Sequence, residues 1–190
     1  KIIKIASILL LPVSIFFLTL APEIIEVIYK RGRFDSGSVD LVSAVLIGYA
    51  PLVLFRPLNA TFAKILHSIE NTITPFYINL LCVIINVILS ILLSYILGLQ
   101  GIAIATSLSA AIGCVIFWGV IYKNVGWNLN IYSALDLFKI IICALIIFIV
   151  VYISKKIDYD IYINLFIKIL MGLFAYLLSL FVLLPNDIRN

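Results

Sequence analysis

The feature that most constrains this chain is a repeated one: uncharged apolar runs of about 20 residues, separated by short polar breaks. From Pro75 to Tyr122 there is no Asp, Glu, Lys or Arg. A run of this length, wound as a helix, crosses a hydrocarbon core of roughly 30 Å. Composition agrees, with 65% of the 190 residues apolar and 12% charged, against roughly 45–50% and 25% in soluble domains. The runs do not alternate in the period of two that a membrane β-barrel requires. The fold class is therefore an all-α polytopic membrane protein.

Length and helix breakers delimit six spans. They cover about Ile5–Tyr29, Val39–Leu66, Pro75–Leu97, Ile102–Tyr122, Leu137–Ile153 and Tyr162–Leu184. Pro12 and Pro22 are expected to kink the first, and the second carries Pro51, Arg56 and Pro57. Pro75 suits a first helical turn, where its missing N–H costs nothing. Gly98-Leu99-Gln100-Gly101 reads as a tight hairpin between the third and fourth spans. The first run is too long for a signal peptide and lacks a small-residue cleavage site. A chain opening on Lys1 is expected to be the C-terminal part of a longer membrane protein. Six spans return both ends to one side, but the loop cations do not choose that side. Lys1, Lys4, Lys64, Lys123, Lys139 and Arg189 stand against Lys30, Arg31, Arg33, Lys155 and Lys156, too even a split for positive-inside counting.

The formal charge of +4 is scattered over loops. That excludes a nucleic-acid stripe and fits a protein beside anionic membrane lipids. Cys82, Cys114 and Cys143 all fall in apolar runs without C-x-x-C spacing, so they read as small buried hydrophobes rather than disulfide or zinc ligands. His67 is alone, and reads as a solvated loop residue. No metal motif, nucleophile elbow or phosphate loop is present, so the chain reads as no enzyme, with no cofactor and no metal site.

Polar groups inside the spans carry more information. Arg56 lies deep in the second, between Phe55 and Pro57. A charge at depth is costly and faces protein or water. It lines a cavity, snorkels, or pairs structurally with a carboxylate outside the sequence. Lys168, nearer the end of the sixth span, is expected to snorkel. Asn86 and Ser90 share one face of the third span, and Thr106 on the antiparallel fourth is at a level to meet them. Converging oxygens can hold a small hard cation or serve as interhelical hydrogen bonds. On the fourth span, Ala103, Ser107 and Ala111 recur every four residues, as do Ala105, Ser109 and Gly113. That spacing lets helices approach closely in lipid, so this helix is expected to be the best buried. The last two, rich in Ile, Leu, Phe and Tyr, are expected at the periphery.

Three stretches together resemble the MurJ (MviN) lipid II flippase family. "APEIIEVIYKRGRFD" holds that family's Y-x-R-G-x-F pattern, "ENTITP" its acidic Thr/Pro loop, and "NVILSILLSYILGLQGIAIATSLSA" its paired helices around a glycine hairpin. The resemblance runs from about Ile5 to Lys123, with the last two spans matching in position and number only. It implies a 14-helix MATE-like transporter of the multidrug/oligosaccharidyl-lipid/polysaccharide superfamily. Residues 1–125 would then be C-terminal-lobe spans nine to twelve. Residues 126–190 would be a two-helix extension, spans thirteen and fourteen, forming a lipid-facing groove.

The implied function is a flippase for undecaprenyl-pyrophosphate-linked peptidoglycan precursor, working by alternating access as a multi-pass protein of the bacterial inner membrane. Its implied partners are that lipid substrate, membrane lipids and an N-terminal half of the same protein, with no nucleic acid. Arg56 and Arg31 are the candidate substrate contacts. Coupling to Na+ or to membrane potential is also implied. The matching cation positions are Asn86, Ser90, the Ile102 carbonyl and Thr106. Ser90 stands where the family carries Asp, and losing that anion predicts weaker cation binding. Another carrier of the superfamily, for polysaccharide units or for drugs and cations, is an alternative, as is a non-transporting scaffold for cell-wall synthesis. A drug exporter would show an intramembrane acidic pocket, whereas the carboxylates here are the span-end Glu23 and Glu26. In the basic turn, Lys30, Arg31 and Arg33 follow a helix C-terminus with Gly32 as its stop. Ser36 or Ser38 is expected to cap the next helix. The resemblance sets this turn outside the cytoplasm, where it would meet pyrophosphate or anionic headgroups.

Overall fold

A computed structural model describes residues 2–30, 34–125, 134–154 and 161–183. Six α-helices follow one another: α1 (Ile2–Tyr29), α2 (Ser36–Ser68), α3 (Ile73–Leu97), α4 (Leu99–Val125), α5 (Ala134–Ser154) and α6 (Ile161–Leu183). Five of them, α1 to α4 and α6, are long and apolar enough to cross a membrane. The apolar part of α5 with described side chains, Ile142–Ser154, is shorter. α1 and α2 run through their prolines without a break, over 28 and 33 residues. At 1.5 Å per residue these are about 42 and 50 Å long, more than a hydrocarbon core needs.

Helix ends follow local hydrogen bonding. The Lys30 N–H donates to the Glu26 carbonyl at 3.1 Å, and the Lys30 ammonium pairs with the Glu26 carboxylate. Arg31, Gly32 and Arg33 lie outside the described residues. α2 is capped by Asp35, not by Ser36 or Ser38 as the sequence suggested: the Ser38 N–H donates to Asp35 Oδ1 at 2.9 Å. A carboxylate at the N-cap accepts from the third helical amide and also meets the positive end of the helix. Those bonds from Ser38 hold the Asp35 carboxyl below its ordinary 3.8.

α2 closes with the two bonds of a Schellman turn, Glu70 N–H to His67 O at 3.0 Å and Asn71 N–H to Leu66 O at 3.0 Å. Glu70 takes the left-handed position, φ 61°, that glycine usually fills. His67 thus belongs to the last turn of α2, and is exposed. Asn71 Oδ1 then accepts the Thr74 N–H at 3.1 Å, so α3 begins before Pro75.

The α3–α4 hairpin is tighter than its four-residue sequence motif. Gly98 alone interrupts the helices, at φ 60°, and its N–H caps α3 on Ser94 O at 3.0 Å. Gly101 is already helical, and a Cβ there would lie 2.1 Å from the Leu93 carbonyl oxygen.

Contacts group the chain into two compact units. The first comprises Lys1–Leu10 and Ala44–Ile131, the second Leu11–Ser43 and Tyr132–Asn190. In the first unit, Leu58, Phe62, Leu66, Ala103, Ala105, Phe117 and Ile121 form the core. The Phe62 ring lies 6.5 Å from that of Phe117 and 6.2 Å from Trp118. Of the small residues of α4, Ala103, Ala105, Ser107, Ser109 and Gly113 are buried and Ala111 is half-buried, and Ser107 donates across to Gly48 O at 2.6 Å. A Cβ at Gly48 would meet that of Ala103 at 2.8 Å.

The second unit is centred on Ile15, Phe16, Leu20, Ala21, Ile25, Cys143, Ile147, Val151 and Tyr176. α1 is the most buried of the five long apolar helices, 44% of its best window against 33% for α4. Close approach therefore marks α4, whereas the greatest burial belongs to α1. α3 has no buried residue in its window and exposes many large apolar side chains, which suits a helix with much of its surface toward lipid.

Candidate functional site

Three helices of the first unit turn polar side chains toward one another. α2 contributes Leu52, Arg56, Asn59, Ala60 and Ala63, all on one face at helical spacing. α3 contributes Asn79, Cys82, Val83 and Asn86, and α4 Thr106, Ser109 and Ala110. They line an open cavity of about 370 Å³. Arg56 is exposed in this chain and lines that cavity, while its neighbours Phe55 and Pro57 are half-buried. Among the described residues no carboxylate pairs with it. A guanidinium held within a span and turned to a polar cavity is the arrangement expected of a charge that faces water or cargo rather than lipid.

The wall of the cavity is tightly built. Asn59 donates through Nδ2 to the Ala110 carbonyl at 2.8 Å, tying α2 to α4. That bond fixes the orientation of the amide and leaves Asn59 Oδ1 buried without a hydrogen-bond partner among the described residues. The junction depends on Gly113, where a Cβ would approach Cys82 Sγ to 2.7 Å and Asn59 Nδ2 to 3.1 Å. Asn59 is a residue of the site that the sequence reading did not single out. Its i+3 spacing from Arg56, and the seven-residue spacing of Asn79 and Asn86, were the signals that these amides share a face.

Of the candidate residues, the structure gathers Arg56, Asn86 and Thr106 around this cavity; Ser90 and Ile102 do not line it. Instead, the four suggested cation ligands form two bonded pairs. Ser90 Oγ donates to Asn86 Oδ1 at 3.2 Å, and Thr106 Oγ1 to the Ile102 carbonyl at 2.9 Å. The set brings no carboxylate, its hydroxyls donate to its own acceptors, and a guanidinium shares the cavity. The set thus lacks the acidic ligand that the family resemblance implied at position 90. Arg31 lies outside the described residues.

Two further expectations are settled in detail. Cys143 is buried, while Cys82 and Cys114 are half-buried. Lys168 does not snorkel: it is 3% exposed, and its ammonium lies 3.5 Å from Glu23 Oε1 on α1. A carboxylate within reach in the same unit offers the ammonium a partner at depth, so it need not reach for the headgroups.

The family model described as "Lipid II flippase MurJ" matches residues 1–181. The lipid II flippase MurJ of Thermosipho africanus is 28% identical over 180 residues, covering 95% of this chain and 36% of that protein. A probable lipid II flippase MurJ from Thermotoga maritima is 33% identical over 107 residues, or 56% of this chain and 23% of its own length. A solved structure, "Lipid II flippase MurJ, inward closed conformation", superposes with a TM-score of 0.86 at 27% identity, covering 98% of this chain and 38% of that one. The chain thus spans little more than a third of the length of the relatives it matches most fully.

Proposed function

The chain belongs to the lipid II flippase MurJ family, and from that premise we propose that it works as the C-terminal part of a flippase for undecaprenyl-pyrophosphate-linked peptidoglycan precursor. The observation that carries the reading is the family match over residues 1–181. The chain is a multi-pass protein of the bacterial inner membrane, with five helices able to cross it among the described residues. An N-terminal half, supplying the rest of the relatives' length, completes the transport path. The relatives named above share one cargo in their names, which favours it over other carriers of the superfamily and over a scaffold. The family is one of transporters, so binding and release are the chemistry to expect rather than bond making.

Within this reading, Arg56 meets the anionic part of the cargo. Its guanidinium is a fork of five donors suited to phosphate oxygens, and the amides of Asn79 and Asn86 line the same cavity. Arg31, in the basic turn after α1, meets the precursor's phosphates or the lipid headgroups as cargo leaves. With Ser90 replacing an acidic ligand, membrane potential is the better coupling candidate than a sodium ion. The direct test reconstitutes the full-length protein in vesicles and follows precursor translocation. Protein-dependent movement of the precursor is expected. Equal movement with and without protein would reject the function.

A further inference from the structure

The second unit holds a buried ion pair between α6 and α1. Lys168 is the single charged residue of α6, and its side chain is 4% exposed. Its partner Glu23, one residue after Pro22 of α1, is 20% exposed, and the charged atoms are 3.5 Å apart. One turn further along α6, a Cβ on Gly172 would lie 2.6 Å from the ring of Phe16 on α1 and 3.0 Å from Val151 on α5. The order Lys168–Gly172 on α6 thus meets Glu23–Phe16 on α1, an antiparallel contact with α5 closing its other side. Tyr176 and Ser179, also buried, continue the same face of α6.

Apolar faces alone fix little in a membrane. Lipid tails are as apolar as the helices, so association depends on close packing and on polar contacts. α6 is apolar around most of its surface and, without a pin, is free to rotate or slide on α1. A buried ion pair adds little stability over apolar residues of similar volume, but it specifies register, and breaking it from one side is costly. The geometry points to Lys168 and Glu23 as a positioning pair: we propose that they lock α1, α5 and α6 into one body that stays assembled throughout transport.

The test uses the full-length protein and has two arms. In a cysteine-free background, Phe16→Cys with Gly172→Cys gives thiols near enough for a disulfide or a short bifunctional reagent to join. Bridging is expected to leave the translocation rate equal to that of the reduced protein. Loss of transport on bridging, restored by reduction, would overturn the proposal, because the interface would then have to open. This arm rests on the flippase reading; the second does not. There, Lys168→Met lowers the Tm of the purified protein on the order of 10 °C. The exchange Glu23→Lys with Lys168→Glu recovers more than half of that loss. An exchanged protein as unstable as the sum of its single variants would overturn the pair. A protein that moves no precursor with its thiols free would reject the flippase reading, while the thermal arm still decides the joint.

Discussion

At the residue scale the chain separates charges that hold helices from charges that face a cavity. Arg56 is of the second kind: among the described residues it has no carboxylate partner, and it shares the cavity with Asn59, Asn79 and Asn86. A charge-assisted hydrogen bond contributes about 1.5–3 kcal/mol, which corresponds to roughly ten- to a hundredfold in rate. Arg56→Ala is therefore expected to slow precursor translocation by that range at unchanged protein level, with Arg56→Lys falling between. Full activity of the alanine variant in vesicles would remove Arg56 from the cargo path. Asp35 is of the first kind. Its carboxyl is held below 3.8 by bonds from Ser38, so the cap is complete above that value and weakens as pH falls through the lowered one. Hydrogen exchange at the Ser38 amide should quicken in Asp35→Ala at neutral pH. It should quicken in the parent chain only under strong acid.

At the scale of elements, glycine sets the spacing, but the obstacle differs from site to site. A Cβ at Gly101 meets the Leu93 backbone at 2.1 Å, whereas one at Gly113 meets the movable side chains of Cys82 and Asn59. Gly101→Ala must part α3 from α4, and is expected to reduce folded yield severely. Gly113→Ala should cost about 1–3 kcal/mol, the usual range for overpacking, and should disturb the Asn59–Ala110 bond. Both outcomes can be read from the Tm of the purified protein. Glu70→Gly should act in the opposite sense, raising stability by about 1–2 kcal/mol because an L side chain is strained at positive φ. Helix number, order and approximate ends were legible in the sequence because apolar length and breakers act locally. So was the close approach of α4, from its small-residue repeats. The Asp35 cap was missed because three neighbouring residues were all able to cap, and only the backbone path chooses among them. The Lys168–Glu23 pair was missed because 145 positions of sequence separation give no local signal. Arg56 was recognised as a charge at depth, but its cavity required the faces of α2, α3 and α4 to be known together.

At the scale of the whole molecule, topology turns on whether α5 completes a crossing. Its described apolar portion, Ile142–Ser154, is short, yet the helix runs for 21 residues from Ala134. At 1.5 Å per residue that is about 32 Å, just enough for a hydrocarbon core of about 30 Å. A helix so closely matched has little room to tilt, and it packs against α6. Loop cations do not settle the count, because they are almost evenly divided between the two sides. Crossing parity does. If α5 crosses, the turn at Glu70 follows two crossings, Gly98 three and Asn190 six, so the first and last lie on one side and Gly98 on the other. If it does not, Asn190 follows five crossings and joins Gly98. Reporter fusions after Glu70, Gly98 and Asn190 are expected to report the first pattern. A shared side for Gly98 and Asn190 would make α5 an element that lies within one leaflet or the interface, leaving α6 as the last span.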